Sequence, residues 1–70
     1  MKLSARNQLP GTVKSVTEGQ VMAEVLVEVA GGHEIVSAIT VDSVRRLGLK
    51  AGSKVVAVIK STEVILAVDD

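Results

Sequence analysis

Along this chain, apolar and polar positions alternate with a period of two, broken by one short stretch of period three to four. Val21, Ala23, Val25, Val27 and Val29 alternate with Gln20, Met22, Glu24, Leu26 and Glu28, which predicts the clearest strand in the sequence. One face of that strand is core. The other mixes acids with Met22 and Leu26, is more apolar than a solvated face requires, and is expected to meet another subunit. Upstream, Leu9 and Val13 share a strand face while Val16 falls out of phase, so a strand over Leu9–Val16 should carry a bulge or bend. Pro10 cannot donate to a ladder and belongs at a strand start or on an edge.

Thr17-Glu18-Gly19-Gln20 is a predicted hairpin turn, and Gly31-Gly32 a second turn that tolerates positive φ. Ile35–Thr40 returns as a third strand. The period then changes: Val44 and Leu47 lie three apart, Thr40 is placed to cap and Gly48 to stop a helix of about two turns over Val41–Leu47. After a turn at Lys50–Ser53, Lys54–Lys60 and Glu63–Val68 read as two further strands joined through Lys60-Ser61-Thr62, and Asp69-Asp70 as a mobile tail. The expected fold is all-β, a single domain over residues 1–70. Its connectivity, five strands with one short helix between the third and fourth, is that of an OB-like barrel.

Composition bears on how such a domain holds together. A 70-residue chain buries only about 60% of its unfolded surface, and small domains compensate with disulfides, a structural metal or association. There is no cysteine and His33 is the single histidine, which excludes a bridge and a Cys/His zinc site and leaves association. Hydrophobic residues are 47% of the chain and aromatics 0%, so the core is built from Val, Ile, Leu and Ala. No apolar run approaches the ~20 residues of a membrane span. The amino terminus lacks the apolar stretch of a secretory signal, and the expected location is the cytoplasm.

Charge and motif narrow the function classes. Eight basic residues balance eight acidic ones and there is no Phe, Tyr or Trp on which a base could stack, so an OB-like barrel here is not read as a nucleic-acid binder. No nucleophile elbow or phosphate loop occurs. His33 is a solvated turn residue, and Glu24 and Glu28, on one strand face, are surface or interface acids rather than a general acid/base pair. The expectation is a non-enzyme with no catalytic residue.

Ser4-Ala5-Arg6-Asn7-Gln8-Leu9-Pro10-Gly11 holds donors and no acid. Hydroxyls and cations recur at later element ends: Thr40 and Ser43 at the helix start, Lys60 and Ser61 after a strand. Each alone has an ordinary role, as cap, first-turn residue or solvated strand end.

Together, Ser4-Ala5-Arg6-Asn7-Gln8-Leu9, Ile39-Thr40-Val41-Asp42-Ser43-Val44 with Leu47-Gly48-Leu49, and Lys60-Ser61-Thr62 resemble the Mop family, the molbindins, in order and spacing over nearly the whole chain. The resemblance implies a cytoplasmic protein that binds molybdate or tungstate for intracellular storage and homeostasis. It also implies a homo-hexamer built as a trimer of dimers, with the oxyanion held at subunit boundaries, no cofactor, and no direct protein–metal ligand. Residue by residue it assigns contacts to Ser4, to Arg6 through its backbone N–H, to Thr40 and Ser43, and to Lys60 and Ser61. Such a site would offer fixed donors and one cation to a dianion and exclude carboxylates, each charge-assisted bond contributing about 1.5–3 kcal/mol, and would reject the smaller sulfate by cavity size. The chain departs from the family at Pro10, where a lysine is frequent. A second class of site near a symmetry axis, known in related assemblies, has no assignable residues here. The alternative reading is a regulatory or protein-interaction module with no small-molecule ligand.

Overall fold

The computed structural model describes residues 1–69. The sheet is organised by β1 (Asn7–Glu18), 12 residues long, which pairs with two neighbours in succession. Asn7–Thr12 pairs with β4 (Lys54–Ile59), and Gly11–Glu18 with β2 (Met22–Val29). β2 then pairs with β3 (Glu34–Thr40), every pairing is antiparallel, and the order is β3-β2-β1-β4. Pro10 falls in the part of β1 that precedes its pairing with β2, where the strand is locally an edge, as its missing N–H requires.

A bulge allows one strand to serve both neighbours. Val13 faces Val27 and Ser15 faces the adjacent Leu26, leaving Lys14 as the extra residue. The inserted residue restores the phase, so Val13, 1% exposed, and Val16 both pack on the core although three positions apart. This is the bend the out-of-phase Val16 predicted. Just before it β1 passes so close to β2 that a Cβ on Gly11 would lie 2.6 Å from the Glu28 carbonyl oxygen and 2.8 Å from Val27 Cγ1. No larger residue fits without a shift.

Local signals also explain α1 (Val41–Leu47). Thr40 Oγ1 accepts from the Ser43 backbone N–H at 3.0 Å. At the other end Gly48 takes a left-handed conformation, φ +65°, its N–H bonding to the Arg45 carbonyl while Leu49 N–H bonds to that of Val44. That pair of bonds is a Schellman stop, and Leu49 then packs on the core beside Val44. The buried core is small: Val13, Ala23, Val25, Val27, Val41 and Val44. It lies between the concave face of the sheet and α1. Among the described residues no helix is long and apolar enough to cross a membrane.

One expectation needs correction. Glu63–Val68 is not a strand: β4 ends at Ile59, a 3-10 turn follows at Ser61–Glu63, and the rest has no ladder partner among the described residues, which form four strands rather than five. Ile65 is 93%, Leu66 86% and Val68 88% exposed. A short apolar run such as Val64–Val68 suits a buried strand, but a strand exists only when another strand takes its hydrogen bonds, and this segment lies against none. The result is an all-β, curled half-barrel, open between the free edges of β3 and β4. That opening is an apolar cavity of about 370 Å³, lined by residues that include Ile35 and Ile39 of β3 and Val55 and Ile59 of β4. Of the Asp69-Asp70 tail, Asp70 lies outside the described residues.

Candidate functional site

The donor-rich lead is fixed against the end of β4 by its own side chains. Asn7 Nδ2 donates to the Ile59 carbonyl at 3.2 Å, and Gln8 Nε2 reaches back to the Ala5 carbonyl at 2.7 Å. These bonds set Ser4 beside the segment that leaves β4. Leu3, Ser4, Ala5, Val58, Lys60, Ser61 and Thr62 together line an open concavity of about 530 Å³. It contains one ammonium, three hydroxyls and no carboxylate.

Three of the sequence-predicted site residues, Ser4, Lys60 and Ser61, are therefore brought together by the fold, although Ser4 lies more than fifty positions from the other two in the chain. Arg6 is exposed and is not part of this lining. Thr62, which the resemblance did not assign, lines the concavity as well; its place in the run Lys60-Ser61-Thr62 was its signal in the sequence.

Thr40 and Ser43 form a second cluster. Besides capping the Ser43 N–H, Thr40 Oγ1 donates to Ser43 Oγ at 2.8 Å, and Arg46 Nη2 donates to the same oxygen at 3.4 Å. With two donors directed at it, Ser43 Oγ has its own hydrogen free to point outward, whereas the Thr40 hydrogen is already engaged. Arg46 has no carboxylate within 4.0 Å among the described residues, while its neighbour Arg45 sits 3.6 Å from Glu18.

The two clusters are at opposite ends of the sheet. Lys60 follows Ile59, which pairs with Asn7 at the start of β1. Thr40 pairs with Met22, next to Ala23, whose partner is Glu18 at the end of β1. A 12-residue strand spans up to about 40 Å if straight, and even bent it keeps the groups apart. A single chain does not join all the predicted residues into one pocket.

The remaining polar features belong to neither cluster. Lys14, the bulge residue, bonds to Glu34 at 2.6 Å. That hydrogen bond, and then the carboxylate charge, raise the ammonium above its ordinary 10.5. Among the described residues no group of three or more His, Cys, Asp or Glu could hold a metal ion. This geometry offers hydrogen-bond donors and cations for an anion.

Comparison with known proteins places this arrangement. The TOBE domain family model matches residues 3–66. Molybdenum-pterin-binding protein 1 of Clostridium pasteurianum is 52% identical over 66 residues, 94% of this chain and 97% of its own. Among solved structures, MopII from Clostridium pasteurianum superposes with a TM-score of 0.91 at 49% identity, covering 96% of this chain and 100% of that one. A molybdate-binding protein from Sporomusa ovata gives 0.89 at 46% identity, over 96% and 98%. The four-stranded half-barrel is thus the fold of relatives similar over almost their full length, and the chain belongs to the TOBE domain family, among the Mop proteins, the molbindins, that its three sequence segments resemble.

Proposed function

We propose that this protein binds molybdate or tungstate as an intact oxyanion, reversibly, at sites completed between copies of the chain. The observation that carries the reading is the acid-free concavity of Ser4, Lys60, Ser61 and Thr62. A permanent dianion is held by fixed donors with limited countercharge, and a nearby carboxylate would repel it; the lining meets both conditions. The similarity to proteins named for binding molybdate or molybdenum-pterin supports the choice of ion. Intracellular storage and homeostasis are the role we propose for this binding. Ser4, Lys60, Ser61 and the Arg6 N–H would form one wall, and Thr40 with Ser43 of a neighbouring copy the other. The separation of the two clusters along β1 supports that division.

A homo-oligomer also accounts for the unpartnered tail. The free edges of β3 and β4 run in opposite directions, as their pairings require, so one strand between them would be parallel to one and antiparallel to the other. Val64–Val68 with Glu63 is as long as β4, and its unbroken apolar run suits a strand buried on both faces. In our reading it fills this opening in a second copy, removing two exposed edges and the apolar cavity together. A hexamer as a trimer of dimers is the assembly proposed.

Calorimetric titration with molybdate, tungstate and sulfate tests the function. Saturable heat is expected with the first two and weak or no heat with sulfate; no saturation with either metal oxyanion refutes the reading. The exposed tail also fits a module that binds a different protein. Light scattering on the pure protein separates the two: a stable monomer favours the interaction module, a defined oligomer the oxyanion binder.

A further inference from the structure

The residues that line the concavity are also the ones that launch the tail. Lys60 is extended, its carbonyl accepts from the Glu63 N–H at 2.9 Å, and the Ser61 carbonyl accepts from the Val64 N–H at 3.3 Å. These two bonds close the 3-10 turn Ser61–Glu63 and set the direction in which Val64–Val68 departs.

We propose that Lys60–Glu63 is a hinge shared by the oxyanion and by the exchanged strand, so that oxyanion occupancy locks the subunits together. The inference rests on the function proposed above and adds its regulation. An oxyanion bonded to Lys60 and Ser61 fixes the turn whose geometry aims the tail into the neighbouring half-barrel. Withdrawing the tail requires that turn to move, and separating the copies removes the opposite wall of the site. The ion therefore binds the assembled form and not the open one, and by mass action it depletes the open form by the factor 1 + [L]/Kd for each site that must empty. At a free concentration one hundred times Kd this is about 100-fold per site. No rearrangement of the folded subunit is needed, because the coupling follows from a site and a hinge built of the same residues.

Subunit exchange measures this directly. Unlabelled and nitrogen-15-labelled protein, each pre-assembled, are mixed and followed by native mass spectrometry with no addition, with sodium molybdate, and with sodium sulfate. Molybdate should slow the appearance of mixed oligomers in proportion to the occupancy measured by calorimetry, and sulfate should not. Calorimetric saturation with an unchanged exchange rate overturns the coupling while leaving the function intact. No saturation at all overturns both. Reciprocity supplies a second test: whichever of Ile65→Asp and Leu66→Asp, both outside the concavity, loses association should lose oxyanion affinity with it. A dissociated variant that binds molybdate as tightly as the parent contradicts the proposal.

Discussion

Placing one carboxylate in the tail, at Ile65 or at Leu66, distinguishes a strand waiting for a partner from an idle end. These side chains are 93% and 86% exposed in the single chain. If they remain in solvent, Ile65→Asp and Leu66→Asp change stability by less than about 0.5 kcal/mol. If the tail fills the opening between β3 and β4 of a second copy, the residue on its inner face loses about 1.5–3 kcal/mol of apolar burial. Two tails are exchanged in a reciprocal pair, giving about 3–6 kcal/mol per dimer, or about 10²- to 10⁴-fold in the association constant. Burying the new carboxylate adds to this. Adjacent strand residues point to opposite faces, so the two variants should differ, the inward one being the more damaging. Sedimentation equilibrium over a dilution series reads the association constants. Identical assembly of both variants and the parent would refute strand exchange.

Other consequences concern the site and the frame that holds it. Lys60→Ala should weaken molybdate binding by about 1.5–3 kcal/mol, read by calorimetry as about 10- to 150-fold, with the ligand-free assembly unchanged; equal affinity removes the lysine from the site. Thr40→Val removes the cap of α1 and the bond to Ser43 Oγ, and urea unfolding at fixed protein concentration should show a loss of about 0.5–2 kcal/mol. Gly11→Ala forces its Cβ against the Glu28 carbonyl and Val27, at about 1–3 kcal/mol. Parental stability in that variant would mean β1 and β2 do not approach so closely.

What could be read from the sequence was whatever is decided locally. The ends of α1 were legible because Thr40 and Gly48 act within a few residues of themselves, and the bulge because it leaves Val16 out of phase with Val13. The last strand was misread for the complementary reason. The apolar run Val64–Val68 marks a segment suited to burial, whereas strand formation depends on a partner that this chain does not supply to itself. The site behaves similarly. Ser4 and Lys60 meet because Asn7 and Ile59 pair, a non-local fact that periodicity does not encode; the sequence marked both as donors, and the resemblance joined them into one site. That Thr40 and Ser43 sit at the far end of β1 emerged only from the register.

A crystal soaked in tungstate tests the central claim most directly, because the heavy ion marks its own position. The account predicts electron-density peaks in the concavity beside Ser4, Lys60 and Ser61, with Thr40 or Ser43 of a different copy completing the shell. An ion held by one chain alone, or peaks only at sites remote from Lys60, would contradict it.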